Sequence, residues 1–484
     1  MSTFFSNVIK LVSGSVIAQI LGVLLIPVIT RLYSPDDFGV FQLLLSISGI
    51  LVIFSCLSYQ LAIMLPKEDE DSASIVALCS ILITVISIIS GIIFIIFSDW
   101  IGEILNTPQI SQYIFFLPLI IVLNSFYVVI TYWLSRRKRF GIVATGQVVS
   151  TVSGKALQMG FGMYSPSPLG LIIGLVVGFG AAILLMLQQI KGDLLIFRRV
   201  TLTSIRNLAV RYKRFPLFTS WSMGANTIST QIAPLLLAYY FSADVVGYFA
   251  IANMVVFLPM GLIGSATSQV FFQKASDEMN RTGSVTAIVR EIQPRLISIG
   301  MFPMFVLMII GADLFSFVLG SQWSVAGQYA GILAPWLLFV FIASPLSVIF
   351  AVLERQTVDL FFNMLILISR VVVLVIGGVS GDPYLALLLY SVTGVIFWGW
   401  MNLYILKISG VPYRTGLFDY IRFFFLALVI AIPLFAVKFI ATPIYILFIT
   451  AAVVTIIYYT IVILNDALLK NELLGVLRGL KLWT

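Results

Sequence analysis

Long apolar runs, separated by short polar connectors, follow one another along the whole chain. Fourteen of these runs are 18 to 29 residues long, and each is long enough to cross a hydrocarbon core of about 30 Å as a helix. A transmembrane β-barrel would instead show alternating segments of about ten residues. The pattern therefore predicts an all-α polytopic membrane protein with about 14 transmembrane helices. The predicted spans are 8–30, 39–64, 73–97, 112–134, 142–163, 169–190, 217–240, 247–272, 292–318, 325–353, 358–378, 384–406, 423–440 and 443–464.

The polar connectors alternate between strongly basic ones and ones that are nearly free of cations. Of the 28 Lys and Arg residues, 24 lie in or beside every second connector, two lie inside spans, and Arg31 and Lys438 lie on the opposite side. Cytoplasmic loops of membrane proteins carry such an excess of Lys and Arg. Both termini are therefore predicted to be cytoplasmic. The connector 191–216 is the most basic, with seven cations and one acid, Asp193.

Matching positions indicate an internal repeat. The segment YSPDDFGVF (33–41) matches FSADVVGYF (241–249) at an offset of 208 residues, and Lys155 matches Arg370 at an offset of 215, each 13 residues before a proline. Because six spans are an even number, both copies insert with the same topology, which predicts two pseudo-symmetric six-helix lobes. The predicted domains are an N-terminal lobe (1–190), a basic cytoplasmic linker (191–216), a C-terminal lobe (217–410), an appendage of two extra helices (411–464) and an amphipathic cytoplasmic tail (465–484).

Composition excludes several classes of function. The chain is 60% hydrophobic and 10% charged, whereas soluble domains are about 45–50% apolar. It has no histidine, and Cys56 and Cys79 both fall in apolar runs, so imidazole metal sites, His-dependent triads and a disulfide framework are not expected. A phosphate-binding loop is missing as well, and the connectors are too short for an ATPase domain. Transport is therefore expected to run on an H⁺, Na⁺ or substrate gradient, with no cofactor and no nucleic-acid partner.

Two cations lie where a membrane protein rarely places them. Lys155 and Arg370 fall near the middle of spans 5 and 11, where a charge costs about 2.5–3.5 kcal/mol on insertion scales. Snorkelling or an ion pair would explain one such residue. Two at equivalent positions of the repeat, with no carboxylate at matching depth, favour a shared cavity between the lobes. A cationic cavity with apolar walls attracts an anion.

Polar side chains on spans 1 and 7 suggest a lining for that cavity. The candidates are Gln19, Asn226 and Gln231, which suit a hydroxyl-rich cargo, although hydrogen bonding between helices is the competing explanation. Arg31 ends span 1, where it could line the outer mouth of the cavity or cap the helix through its dipole. Asp36 and Asp244 begin spans 2 and 8 and are predicted to be helix N-caps.

Three segments resemble polysaccharide flippases of the Wzx type, which belong to the multidrug/oligosaccharidyl-lipid/polysaccharide (MOP) exporter superfamily. They are RLYSPDDFGVFQ (31–42), YKRFPLFTSWSMGANTIS (212–229) and AIANMVVFLPMGLIGSATSQVFFQKAS (250–276). The resemblance implies a monomeric, non-enzymatic flippase of the bacterial inner membrane. Its cargo would be an undecaprenyl-pyrophosphate-linked oligosaccharide, of O-antigen or a related polysaccharide, and its partners membrane lipids, a polysaccharide polymerase and a chain-length regulator. Met254 stands where relatives often carry Arg, which leaves Lys155 and Arg370 as the candidate cations.

The two lobes, the buried cations and the resemblance together predict alternating access. In the inward-facing state, a basic rim is expected to attract the anionic headgroup; its members are RRKR (136–139), Arg211, Lys213 and Arg214. A lipid II-type flippase is the main alternative, and a cation-coupled drug exporter of the same superfamily is another, although cationic cargo would favour acidic mid-membrane residues. A polymerase or ligase would need a large external loop, and the longest external connector, SDWIGEILNTPQIS, has 14 residues.

Overall fold

Helices make up nearly all of the computed structural model, which describes residues 18–353, 355–440 and 443–466. No strand occurs within these ranges. Fourteen helices of 15 residues or more lie in this part of the chain, and we label them α1 to α14. They are Ala18–Leu32 (α1), Pro35–Ser55 (α2), Asp69–Ile96 (α3), Leu117–Arg136 (α4), Phe140–Tyr164 (α5), Pro168–Ile190 (α6), Ser220–Tyr240 (α7), Ala243–Thr282 (α8), Thr286–Leu319 (α9), Ser324–Leu346 (α10), Gln356–Val379 (α11), Pro383–Ile408 (α12), Tyr413–Phe439 (α13) and Ile444–Asn465 (α14). Shorter helices at Tyr59–Met64, Ser98–Ile104, Pro108–Gln112, Ile114–Phe116, Lys191–Asp193, Leu194–Phe197, Leu202–Arg211, Phe215–Thr219, Ser321–Trp323 and Ile349–Val352 join them.

Ten of the described helices are long and apolar enough to cross a membrane, which confirms an all-helical, multi-pass membrane protein. Among the described residues, α1 and α8 have apolar stretches at Ala18–Leu32 and Ala243–Phe257. The helices α5 and α7 have 25 and 21 residues, so they are long enough to cross a membrane. They are not among the ten because their polar residues lower their mean hydropathy. The count of fourteen crossings stays a prediction. The start of span 1, 8–17, and most of the amphipathic tail lie outside the described residues.

The chain divides into two compact units. The first comprises the described residues up to Ile251 together with Val318–Gln322 and Leu367–Ala386, and the second comprises Ala252–Phe317, Trp323–Ile366 and the described residues from Leu387 onward. All six candidate site residues belong to the first unit. The division into lobes at 190 and 217 stays a prediction.

Glycines bring the backbones of α5 and α6 into direct contact. A methyl group on Gly154 would lie 2.9 Å from the carbonyl oxygen of Gly174, and one on Gly178 would lie 2.7 Å from that of Ser150. Small residues at four-residue spacing allow such close approach of membrane helices. The pair of helices is therefore a rigid frame for Lys155, which lies on α5.

The two copies of the repeated turn pack against each other within the first unit. A methyl group on Gly39 would overlap the carbonyl oxygen of Ala243, and a methyl group on Gly247 would overlap that of Pro35. Gly247 is the repeat counterpart of Gly39, and Ala243 is the counterpart of Pro35. The contact is therefore reciprocal, as at an interface with a local two-fold axis.

The helix α2 begins with a capping box that the sequence prediction assigned to the wrong residue. Ser34 is the N-cap: its Oγ accepts a hydrogen bond from the Asp37 backbone N–H at 3.2 Å, and Asp37 Oδ2 accepts one from the Ser34 backbone N–H at 2.9 Å. Asp36 lies in the first turn. The prediction of Asp36 as N-cap is therefore wrong, because the serine two residues earlier forms the reciprocal pair with Asp37.

Candidate functional site

Lys155 is held on α5 by a glutamine one turn further along the same helix. Its Nζ donates to Gln158 Oε1 at 3.1 Å, and Gln158 Nε2 donates to the Leu171 carbonyl oxygen on α6 at 3.1 Å. Gln158 is 4% exposed, and Lys155 is half-buried. Among the described residues Lys155 forms no ion pair with a carboxylate. Its charge is thus oriented by a neutral amide and is not cancelled locally.

The repeated turn reaches this site through Tyr33. The fully buried Tyr33 hydroxyl donates to the Gln158 carbonyl oxygen at 2.6 Å. Gly162 and Gly170 make room for its ring, since a methyl group on Gly162 would lie 2.8 Å from the ring and one on Gly170 would overlap the hydroxyl. The repeated turn and the Lys155 helix are therefore joined by one hydrogen bond.

Arg370, on α11, contacts α7. Its Nη1 donates to the backbone oxygen of Ser229 at 2.9 Å and to the Ser229 Oγ at 3.2 Å. Close packing accompanies this contact, because a methyl group on Gly378 would overlap the ring of Tyr240 on α7. The guanidinium is half-buried. No hydrogen bond joins the ammonium of Lys155 to it, and a cavity shared by the two cations stays a prediction.

One face of α7 is polar and open. Ser222, Asn226 and Thr230 are exposed at four-residue spacing, which aligns them along one side of the helix. Gln231 differs: its Oε1 accepts a hydrogen bond from Ser46 Oγ on α2 at 3.0 Å. The role of Asn226 as a lining residue stays a prediction, whereas Gln231 makes a hydrogen bond between two helices, as the competing explanation expected.

The two candidates on α1 lie at opposite ends of its described part. Gln19 is exposed near the first described residue. Arg31 is exposed at the other end, one residue before the last residue of α1. Next to it, Thr30 Oγ1 donates to the Leu319 carbonyl oxygen at 3.0 Å and Gln322 Nε2 donates to the Thr30 carbonyl oxygen at 2.7 Å. The end of α1 is therefore fixed by neutral hydrogen bonds, and the role of Arg31 stays a prediction.

The expectation that RRKR (136–139) forms part of an open basic rim is wrong for its three arginines, which are half-buried and paired. Arg136 Nε pairs with Asp69 at 3.0 Å, and Arg137 pairs with the same carboxylate. Arg139 forms two 3.1 Å hydrogen bonds to Asp193, which is 2% exposed and also accepts one from the Trp133 indole. Carboxylates and carbonyl oxygens already accept hydrogen bonds from these arginines. The arginines therefore link the C-terminal end of α4 to neighbouring segments of the chain. The exposed members of the predicted rim are Lys138, Arg211, Lys213 and Arg214.

Sequence reasoning missed the roles of Gln158 and Ser229, which are hydrogen-bonded to the candidate cations, and of Tyr33, which is hydrogen-bonded to the Gln158 carbonyl oxygen. Gln158 carried a weak signal, since it is a polar residue three positions after Lys155 in an apolar span. For Ser229 the only sequence signal was its position in a polar stretch. The result is two oriented cations and one hydrophilic helix face, an arrangement that can hold an anion and hydroxyl groups. Among the described residues no group of three or more His, Cys, Asp or Glu side chains is placed to bind a metal ion.

Comparisons with known proteins agree with this architecture. A family model described as "Polysaccharide biosynthesis protein" matches residues 28–328, whereas no curated protein sequence matches the chain. Among solved structures, the chain is similar to a lipid II flippase, MurJ, in an inward closed conformation, with a TM-score of 0.71, 15% identity, and coverage of 94% of this chain and 98% of that one. An inward-facing multidrug resistance transporter of the MATE family and MOP superfamily gives a TM-score of 0.62 and 14% identity over 81% of this chain and 96% of that one.

A third similar structure is a MOP superfamily transporter from Pyrococcus furiosus, described as having a binding pocket of reverse polarity that suggests a different function. It gives a TM-score of 0.52 and 12% identity, and covers 84% of this chain and 94% of that one. At these identities the likeness shows the fold alone, which this chain shares with the three transport proteins. The resemblance expected from the sequence motifs is thereby confirmed at the level of family and fold.

Proposed function

The chain belongs to the polysaccharide biosynthesis protein family, and from this premise we propose that it is a flippase for undecaprenyl-pyrophosphate-linked oligosaccharides. It would carry O-antigen or related repeat units from the cytoplasmic to the periplasmic leaflet of a bacterial inner membrane. The matched region covers 28–328 and includes both copies of the repeated turn. The similar structures are transporters and a flippase, which agrees with a chain that is not an enzyme.

The observation that carries the proposal is the placement of Lys155 and Arg370. Both are half-buried on helices of the first unit; Gln158 accepts a hydrogen bond from the ammonium, and Ser229 accepts two from the guanidinium. An ammonium oriented by a neutral amide keeps its charge for an anion, and charge-assisted hydrogen bonds to phosphate are stronger than neutral ones. A pyrophosphate suits these two groups, and the open polar face of α7 suits the sugar hydroxyls.

Alternating access is the mechanism that we propose. The repeated turns touch at Gly39 and Gly247, and the cation distribution predicts that they lie on the external side. Closed external turns would leave the cargo site accessible from the cytoplasm, and separation of the turns would release the cargo outside. Arg31, exposed at the end of α1, would then lie at the exit. The energy would come from an H⁺ or Na⁺ gradient. Such gradients commonly drive transporters that are built from internal repeats and have no ATPase domain.

A lipid II-type flippase is the second candidate, because its cargo is also a polyprenyl pyrophosphate and a protein of that function has a similar fold. A cation-coupled drug exporter is disfavoured by the cationic character of the site. Oligosaccharide and lipid II differ in the groups beyond the pyrophosphate, so the polar face of α7 would distinguish them.

Reconstitution into liposomes tests the proposal. Purified protein would be incubated with a fluorescent undecaprenyl-pyrophosphate oligosaccharide, with fluorescent lipid II and with a cationic dye, and transfer would be followed by protection from a membrane-impermeant quencher. We expect transfer of the oligosaccharide and no transport of the dye, and we expect the Lys155→Ala, Arg370→Ala double variant to be inactive. Faster transfer of lipid II than of the oligosaccharide would reverse the order of the two candidates.

The same liposomes test the coupling ion and the partners. Collapse of an imposed proton or sodium gradient by a selective ionophore should abolish net transfer if that ion drives it. Transfer by the purified protein alone, at one protein copy per vesicle, would agree with a monomer. A polymerase and a chain-length regulator would then act on the product outside the membrane and would not be required for transfer.

A further inference from the structure

The basic connector between α6 and α7 contains a short amphipathic helix, Leu202–Arg211, which we call the connector helix. It begins at an N-cap, where Thr201 Oγ1 accepts a hydrogen bond from the Ser204 backbone N–H at 3.1 Å. Its inner face packs on the protein through Leu208, which is 5% exposed and belongs to the same hydrophobic cluster as Tyr59. The connector helix is therefore a packed part of the first unit.

Two hydrogen bonds place the connector helix beside the ends of α2 and α3. Tyr59, which follows the end of α2 at Ser55, donates its hydroxyl to the Ala209 carbonyl oxygen at 2.9 Å. Ser204 Oγ donates to the Oγ of Ser74, in the second turn of α3, at 2.9 Å. The cation distribution predicts that these helix ends face the cytoplasm. The connector helix therefore lies at the level where α2 and α3 meet the inner leaflet.

The outer face of the connector helix carries apolar side chains. Leu202, Arg206 and Val210 are exposed at four-residue spacing and form one line along the helix, which we call the connector face. Leu202 is 80% exposed and Val210 is 59% exposed. The short helix before it exposes Leu194 and Leu195 as well. Exposure of such side chains to water is unfavourable, whereas an amphipathic helix that lies in a membrane interface buries them.

Two cations beside these apolar side chains have no acidic partner. Arg198 and Arg206 are exposed, and neither forms an ion pair with a carboxylate in the part of the chain that the structure describes. The acid of this connector, Asp193, is 2% exposed and pairs with Arg137 and Arg139. The outer surface of the connector is therefore cationic and apolar together, which is the chemistry that an anionic lipid surface complements.

We propose that the connector face lies in the headgroup region of the inner leaflet and binds anionic phospholipids. Leu202 and Val210 would insert below the lipid phosphates, and Arg198 and Arg206 would bind them. The apolar side chains alone would accept any lipid, whereas the two guanidiniums favour a leaflet with negative charge. The connector between α6 and α7 would thereby be anchored to the membrane surface, a role that is separate from transport of the cargo.

Fluorescence quenching on the full-length protein in lipid nanodiscs tests the proposal. A fluorophore would be attached to Thr203→Cys, an exposed position beside the connector face, while the native thiols of Cys56 and Cys79 are buried. The nanodiscs would contain phosphatidylcholine alone or with phosphatidylglycerol, and a lipid with a quencher on its headgroup. We expect at least threefold stronger quenching with phosphatidylglycerol, because each cation near an anionic leaflet strengthens the contact about fivefold. Quenching in neither nanodisc, or equal quenching in both, would overturn the proposal.

Matched variants assign the lipid contact to the two cations. Arg198→Gln with Arg206→Gln should remove most of the difference between the two nanodiscs, whereas Arg198→Lys with Arg206→Lys keeps both charges and should keep the difference. The control is Lys274→Gln with Lys407→Gln, which removes the same charge from exposed positions in other basic connectors and should change nothing. Wild-type quenching in the glutamine variant, or loss of the difference in the lysine variant, would overturn the assignment to these charges.

A second probe position tests the depth of the connector face. Asn280→Cys is exposed on α8, beyond the predicted end of span 8 at residue 272, and a helical rise of about 1.5 Å per residue takes it away from the membrane. A probe there should remain unquenched in both nanodiscs. Leu202→Ser with Val210→Ser should lower quenching of the Thr203→Cys probe in both lipids. Equal quenching at the two probe positions would overturn the interfacial placement.

The cargo is another source of phosphate, and the nanodiscs exclude it because they contain no polyprenyl lipid. High salt should weaken the part of the quenching that depends on phosphatidylglycerol, since it screens charges at a membrane surface. Arg198 and Arg206 are neither candidate cargo cations nor members of the predicted rim. Oligosaccharide transfer is a separate measurement, so the absence of quenching would overturn this proposal and leave the proposed transport untouched.

Discussion

Lys155 and Arg370 match in the repeat but are oriented by different partners. Lys155 donates to an amide on its own helix, whereas Arg370 donates to the backbone and hydroxyl of Ser229 on a neighbouring helix. A guanidinium has five N–H donors, so two bonds to Ser229 leave others directed elsewhere. The ammonium of Lys155 depends on Gln158 for its position, because Gln158 is itself fixed by the Leu171 carbonyl oxygen.

Removal of either cation should impair transport without affecting the fold. We expect Lys155→Ala and Arg370→Ala each to lower transfer of the oligosaccharide roughly 10-fold to 150-fold, the loss that corresponds to one charge-assisted hydrogen bond of about 1.5–3 kcal/mol. Arg370→Lys should retain part of the activity, since charge survives but the bidentate geometry does not. Surface polysaccharide and the amount of protein in the membrane would be measured together. Lys274→Ala, at an exposed position, is the control, and normal polysaccharide in the double variant would contradict the role.

Helix positions were predictable from the sequence, and helix contacts were not. The apolar run from 169 to 190 predicts α6, observed at Pro168–Ile190, because span length is a local property of the chain. The pairing of Arg136 with Asp69 joins residues 67 positions apart, and charge counting alone placed that arginine on an open rim. The N-cap was missed for a related reason: serine and aspartate are equally good caps, and only the geometry of Ser34 and Asp37 decides between them.

The reciprocal glycine contact between α2 and α8 gives a prediction at the level of these elements. Gly39→Ala or Gly247→Ala would place a methyl group against a carbonyl oxygen of the other turn. Overpacking costs about 1–3 kcal/mol, enough to shift a closed-to-open equilibrium roughly 5-fold to 150-fold. We expect faster labelling of a Ser34→Cys reporter by a membrane-impermeant maleimide, together with slower transport.

Gly180 provides the matched control for these variants. It lies on α6 in the same unit, and a methyl group there would have nothing within 4 Å. Gly180→Ala should therefore leave both labelling and transport unchanged. Equal labelling rates in the Gly39→Ala, Gly247→Ala and Gly180→Ala proteins would show that this contact does not control access from outside.

For the whole molecule, the distribution of cations predicts one orientation in the membrane. Reporters fused after Arg139, Arg199 or Lys274 should report the cytoplasm, and reporters fused after Pro166 or Asp382 should report the periplasm. The physical reason is the bias of Lys and Arg to the cytoplasmic loops. Activity of paired cytoplasmic and periplasmic reporters measures the outcome. A periplasmic signal from the connector 191–216 would contradict the two-lobe arrangement.

The repeated turns also determine how the molecule as a whole should move. They touch through Gly39 and Ala243 in this conformation, and alternating access requires them to separate when the cargo leaves. Ser34 and Ser242 are equivalent positions beside this contact, and the native thiols, Cys56 and Cys79, are buried, so neither competes for an added cross-linker. Cross-linking of Ser34→Cys to Ser242→Cys should therefore lower oligosaccharide transfer to background, and reduction should restore it.

Each single cysteine variant controls for the loss of the native serine, including the Ser34 cap. Because the cross-link holds only the external side, cargo should still bind from the cytoplasmic side of the blocked protein, which a binding assay on the same sample would detect. Transfer at the normal rate by fully cross-linked protein would mean that these turns do not separate during transport.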